Sequence, residues 1–153
     1  MTDFDQWLSG EQQLVWRAYL RGAATLTSAL DERLRAFGLT LAEYEILVTL
    51  SESSDHRVRM SELASSVQQS RSRLTHTIQR MERAGLVQRV SCAEDGRGVN
   101  AELTSAGLKA LRTAAPDHVA AVRELLVDAV SPADYAALGR VMTRVTEAAS
   151  ASG

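Results

Sequence analysis

Ser70-Arg71-Ser72-Arg73-Leu74-Thr75-His76-Thr77-Ile78-Gln79-Arg80-Met81-Glu82-Arg83-Ala84-Gly85-Leu86-Val87, followed a little further on by Glu94-Asp95-Gly96-Arg97-Gly98-Val99-Asn100-Ala101-Glu102-Leu103-Thr104, is the stretch that decides the fold. Ser70 can accept a backbone N–H bond and so open a helix. Leu74, Ile78 and Met81 then recur at helical spacing and form one buried stripe. At about 100° per residue the opposite face presents Ser72, His76, Gln79 and Arg83, with Arg73, Thr75 and Arg80 along its borders. Gly85 stands where a helix ends on a residue with positive φ. Beyond it, residues 86–91 and 99–103 carry short strand patterns, and the two glycines of the connecting 94–98 loop suit a turn of positive φ. A basic capped helix followed by a hairpin with an arginine in its loop predicts a winged helix-turn-helix. The fold class is therefore mainly α (α+β), with a two- or three-stranded wing and a surface shaped for duplex DNA.

The charge distribution agrees with that surface, although the net charge of −2 over 153 residues does not at first suggest it. Residues 57–97 hold eight arginines against four acids, a local charge of +4, which leaves −6 on the remainder. A basic module between acidic flanks directs a polyanion to one face. A hydrophobic fraction of 45% and a charged fraction of 24% are those of a globular chain, which sets aside disorder and fibrous classes. No run approaches the ~18 apolar residues of a membrane span, and the first residues lack the pattern of a secretion signal. The expectation is a cytoplasmic protein. Cys92 stands alone, so an intramolecular disulfide is impossible.

Outside the basic stretch the chain reads as helices. Ser9-Gly10-Glu11-Gln12 has the form of a capping box, and Val15, Tyr19, Leu26, Leu30, Leu34 and Phe37 continue with helical spacing to about Gly38. A second capping box, Thr40-Leu41-Ala42-Glu43, starts a helix that buries Tyr44, Leu47, Val48 and Leu50. Arg57-Val58-Arg59-Met60 alternates over too few residues for an independent strand but suits the edge of a small wing sheet. Ser61 is the expected cap of a short helix carrying Leu63, Ala64 and Val67. Thr104-Ser105 opens a further helix that Pro116 is expected to kink or divide. Ser131-Pro132 opens the last, with Tyr135, Leu138, Met142 and Val145 on one side. The apolar stripes of the outer helices exceed what one small winged helix can cover, and such surplus usually meets a partner. The organisation read from the sequence is one domain over 1–153, with dimerisation helices in 1–38 and 105–150 around a DNA-binding lobe in 40–104.

Four blocks stand out: Met60-Ser61-Glu62-Leu63-Ala64, Ser70-Arg71-Ser72-Arg73-Leu74-Thr75, Met81-Glu82-Arg83-Ala84-Gly85-Leu86-Val87, and the wing Asp95-Gly96-Arg97 leading to Leu103-Thr104-Ser105-Ala106-Gly107. In this order and spacing they resemble the MarR family of bacterial transcription regulators. The likeness covers nearly the whole chain. It implies a helical homodimer with a winged helix-turn-helix in each subunit. It further implies a repressor of a pseudo-palindromic operator, released by a small ligand or by cysteine oxidation, and its Asp-x-Arg wing motif is present as Asp95 and Arg97.

Base edges are reached from the first turns of a recognition helix, which nominates Ser72, Arg73, Thr75 and His76, with Arg73 suited to bidentate contact with guanine. Ser70, Arg71, Gln79 and Arg80 lie where phosphate contacts fix register. Arg80 and Arg83 also have the alternative of pairing with Glu82 or Glu94, or of facing water. Arg97 would enter the minor groove with Asp95 orienting it. Trp16, Tyr19 and Tyr44 are candidates for lining a crevice for an aromatic or anionic effector, with Arg17 or Arg21 available to a carboxylate. Aromatic residues at helical spacing more often belong to a core. Cys92, in the wing and without the first-helix position usual for a sensing thiol in this family, is expected to pack. His56, His76 and His118 lack metal-ligand spacing and no nucleophile motif is present, so neither a catalytic residue, a metal nor a cofactor is expected. The competing reading is an interaction module that retains the winged-helix fold and works through a protein partner; its mark, loss of the basic recognition surface, is absent.

Overall fold

The computed structural model describes residues 7–92 and 96–151. The described elements are α1 (Gly10–Arg35), α2 (Leu41–Glu52), a 3-10 turn (Ser54–His56), β1 (Arg57–Arg59), α3 (Met60–Ser66), α4 (Arg71–Arg83), β2 (Val87–Ser91), β3 (Val99–Leu103), α5 (Ser105–Val122), a π-helical stretch (Arg123–Val127) and α6 (Pro132–Ala151). The chain forms two compact units, Met1–Leu30 with Val119–Gly153, and Asp31–His118.

In the Asp31–His118 unit the helix starts are fixed by the side chains expected of them. Thr40 Oγ1 accepts from Glu43 N–H at 3.2 Å, while Glu43 Oε2 accepts from Thr40 N–H at 2.8 Å. Two orphan donors are satisfied reciprocally. Asp31 Oδ1 takes a third, Leu41 N–H, at 2.8 Å. Short α3 departs from expectation: it begins at Met60 with Arg59 at the cap position and no side-chain cap bond, so Ser61 lies inside the helix rather than before it. Strand β1 runs directly into this helix, leaving no room for a separate capping residue at 61.

The three strands form one antiparallel sheet in the order β1-β3-β2. Arg57-Val58-Arg59 therefore does pair with the wing, Val58 opposite Ala101 and Arg57 opposite Glu102. Glu102 collects donors from both neighbours, Arg57 Nε at 2.7 Å and Gln88 Nε2 at 2.8 Å. Those hydrogen bonds, Arg57's before Gln88's, hold its carboxyl below the usual range. Ile46, Leu47, Leu50, Leu63, Leu74, Ile78, Met81 and Val87 are buried in a core beneath the sheet and helices.

Two close approaches depend on glycine. A Cβ on Gly107, near the start of α5, would lie 2.1 Å from the Leu86 carbonyl oxygen. Thr104 closes the same corner: its Oγ1–H donates to Gly85 O at 2.6 Å, and its N–H donates to Leu86 O at 3.1 Å. In the wing, Gly98 does not take positive φ, contrary to the turn expected of it; Gly38 and Gly85 do. Gly98 serves proximity instead, since a Cβ there would lie 2.7 Å from Arg59 Nη2.

The other unit is built from α1, the end of α5 and α6. Ser9 and Gln12 form the expected capping box, Ser9 N–H donating to Gln12 Oε1 at 2.8 Å and Gln12 N–H to Ser9 Oγ at 3.2 Å. Ser131 Oγ accepts Asp134 N–H at 3.1 Å and starts α6. Pro116 does not divide α5, which runs unbroken to Val122; the departure from α-helical bonding comes later, in the π-helical stretch. Proline removes one N–H and displaces one carbonyl, a local loss that a helix with buried Leu111, Ala114 and Ala121 absorbs. Leu14, Val15, Val141 and Val145 are exposed, Val15 by 67% and Val145 by 52%.

Candidate nucleic-acid interface

Ser70 Oγ accepts Arg73 N–H at 3.2 Å and starts α4 as expected. Leu74, Ile78 and Met81 are buried to within 1% of full burial, which fixes the rotation of the helix and decides what faces outward. Arg71, Ser72, Arg73 and His76 are exposed along its first turns, and Thr75 and Gln79 are half-buried. Thr77, which the sequence reading left without a role, is buried, its hydroxyl donating to Arg73 O at 3.0 Å. Ser70, Ser72, Arg73, His76 and Arg80 share a polar concavity of about 570 Å³ with the start of α2.

The far end of α4 is tied by ion pairs that the sequence reading assigned differently. Arg80 pairs with Glu43 of α2 rather than with Glu82, and Glu94 lies outside the described residues: the Arg80 Nε–H donates to Glu43 Oε1 at 2.7 Å, while the side chain as a whole stays 56% exposed. Glu82 pairs with Arg89 of β2 instead, accepting its backbone N–H at 3.1 Å and its guanidinium at 3.0 Å. The backbone bond first, then the side chain, keeps the Glu82 carboxyl below its ordinary range. Helix α4 is thus fastened to α2 on one side and to β2 on the other.

On the wing, Arg97 is exposed and lines a second cavity, of about 400 Å³, together with Arg59, Ser61, Arg71 and Thr75. Asp95, expected to orient Arg97, lies outside the described residues. Cys92 is half-buried, and its Sγ–H donates to Asn100 Oδ1 at 3.1 Å at the loop end of the hairpin. Arg59 and Glu43 are the residues of this surface that the sequence reading missed. Glu43 was legible as a cap, but its pairing with a residue 37 positions away was not.

The aromatic candidates do not share one environment. Trp16 and Tyr19 stack with ring centroids 5.7 Å apart and line an open groove of about 660 Å³ with Val15, Val141 and Val145. Tyr44 is 7% exposed in the other unit, with its ring centroid 4.2 Å from that of His118. Burial raises the Tyr44 pKa; it lowers that of His118, with Asp117 opposing. Among the described residues no group of His, Cys, Asp and Glu is placed to hold a metal ion, and no helix is long and apolar enough to cross a membrane.

The sequence model of the MarR family matches residues 39–99, the segment from the start of α2 to the wing. AbsC, a MarR family transcriptional regulator from Streptomyces coelicolor, is 45% identical in sequence and superposes over 95% of this chain and 98% of its own with a TM-score of 0.91. This chain belongs to the MarR family. Sco3205, another MarR family transcriptional regulator from Streptomyces coelicolor, whose structure is a complex with DNA, is 42% identical over 96% of this chain and 92% of its own, with a TM-score of 0.91. The transcriptional regulator PecS of Dickeya dadantii (strain 3937) is 28% identical over 120 residues, 78% of this chain and 72% of its own. Membership makes the protein a transcription regulator rather than an enzyme, and the mainly helical fold with its small sheet is the MarR family's winged helix.

Proposed function

We propose that this MarR family regulator is a cytoplasmic homodimer that binds a pseudo-palindromic operator. The α4 helix of each subunit would enter a major groove, and each wing the adjacent minor groove. One observation carries the reading: the buried stripe of α4 turns Arg71, Ser72, Arg73 and His76 outward together on one exposed face. Arg73 and His76, with Ser72 and Thr75, read base edges; Ser70, Arg71, Gln79 and the free end of Arg80 hold phosphates; Arg97 reads minor-groove width, with Asp95 as its expected orienting partner. The DNA complex of the similar Sco3205 supports this docking. The lobe responsible is residues 40–104, flanked by dimerisation helices in 1–38 and 105–150. Two-fold related helices on one side of B-DNA require half-site centres about 10 bp apart.

Dimerisation is supported by the exposed apolar side chains of α1 and α6, which a monomer would leave in water. A dimer seated over a promoter excludes polymerase, so repression is the mode of action. A small aromatic or anionic effector that reaches the Trp16 and Tyr19 groove would act by shifting the spacing of the two α4 helices. The test is retardation of the promoter DNA beside the protein's own gene at physiological salt, with a scrambled duplex as competitor. Equal affinity for both duplexes contradicts the reading.

A further inference from the structure

Arg59, Arg71 and Arg97 come from three different elements, β1, α4 and the wing loop, yet line a single cavity of about 400 Å³ whose apolar floor includes Leu74 and Val99. The position of this cavity matters if the proposed docking holds, on which the inference rests. A helix in a major groove and a wing in the neighbouring minor groove are separated by one sugar–phosphate strand, because that strand is the wall between the two grooves. It must cross the gap between the start of α4 and the wing, and this cavity fills that gap. Guanidinium groups suit the crossing strand because each offers a planar fork of donors that matches phosphate oxygens.

Arg59 is the member of the three that neither the sequence pattern nor the family motif singles out. It is exposed, and its Nη2 lies 2.7 Å from where a Cβ on Gly98 would stand, so its guanidinium rests against the wing backbone. The absence of a side chain at Gly98 is what lets it do so. We propose that Arg59 is a phosphate-binding residue of the DNA interface, closing with Arg71 on the strand that crosses between α4 and the wing, while Arg97 beside them reaches past that strand into the minor groove. It holds the backbone there and reads no base.

The experiment compares full-length wild type, Arg59→Gln and Arg59→Lys for operator binding by fluorescence anisotropy across a range of salt, with circular dichroism as a fold control. Arg59→Gln is expected to flatten the dependence of log K on log salt by roughly 0.9 per lost contact, near 2 for a dimer. Affinity should fall equally for operator and unrelated duplex, and Arg59→Lys should recover most of the slope. A scan of single methylphosphonate substitutions in the operator should find one neutralised phosphate per half-site at which wild type and Arg59→Gln bind alike. An unchanged slope in Arg59→Gln, or a loss of flank preference with the slope intact, overturns the inference and leaves Arg59 as a prop for the wing. A wild type that binds no duplex in a salt-dependent way overturns the proposed function itself.

Discussion

Glu43 of α2 accepts Arg80 Nε–H at 2.7 Å with one carboxylate oxygen and Thr40 N–H at 2.8 Å with the other, so the capping box of α2 also clamps α4. Glu43 is 6% exposed, whereas Arg80 reaches solvent. Glu43→Gln retains one acceptor oxygen and must abandon one of the two donors. Screening at the exposed Arg80 limits the Coulombic part, so the expected loss is about 1 kcal/mol of stability. Glu43→Ala abandons both and should cost about 2 kcal/mol. Urea denaturation of the two variants checks the order, and both should weaken operator binding because α4 loses its outer anchor.

Gly107→Ala should destabilise the protein by about 3 kcal/mol. The new methyl would meet a backbone oxygen at 2.1 Å, and neither the Leu86 carbonyl nor the start of α5 can move without breaking the Thr104 bonds at that corner. The change in urea midpoint at constant m-value measures it.

Local chemistry explains what the sequence disclosed. The caps at Ser9, Thr40, Ser70 and Ser131 depend on residues three apart, and the burial of Leu74, Ile78 and Met81 depends on one helical period, so both can be read along the chain. The pairs Arg80 with Glu43 and Arg89 with Glu82, and the approach of Arg59 to Gly98, depend on how elements pack and leave no periodic trace. Tyr44 shows the same limit: its helical spacing with other apolar residues places it on the packed side of α2, but its partner there, His118, lies far along the chain and leaves no local trace. Gly98 misled because glycine answers two needs, positive φ and close approach, that look identical in sequence.

Acidification should weaken the fold in two separate windows. His118, whose Nδ1 is buried without a hydrogen-bond partner among the described residues, has its pKa lowered by burial. The unfolded chain therefore binds a proton more readily, and stability falls as pH drops below the ordinary histidine value of about 6.5. Glu82 and Glu102 have lowered pKa values in the fold, so their contribution is present above the ordinary carboxylate value and is lost as pH falls through their lowered ones. Denaturation midpoints between pH 7.5 and 5.5 should decline for wild type and stay flatter for His118→Gln. Equal slopes would remove His118 from this account.

Val141→Asp should convert the proposed dimer to a monomer with little effect on the fold of the single chain. Val141 is 53% exposed beside the Trp16 and Tyr19 groove, so a carboxylate there is solvated in the monomer and stranded in an apolar interface. Sedimentation should give about twice 16.6 kDa for wild type and 16.6 kDa for the variant. Operator affinity should fall sharply, since each half-site would then be bound alone.

The most direct test of the account is the base preference of Arg73→Ala, measured by equilibrium selection from a randomised half-site library at physiological salt. Arg73 is exposed in the first turn of α4, where side chains reach base edges. The variant should lose discrimination at one base-pair position per half-site, by roughly 1 to 3 kcal/mol, while preference elsewhere in the site and at the flanks is kept. A variant that binds every sequence more weakly with an unchanged preference would contradict it and return Arg73 to the phosphate backbone.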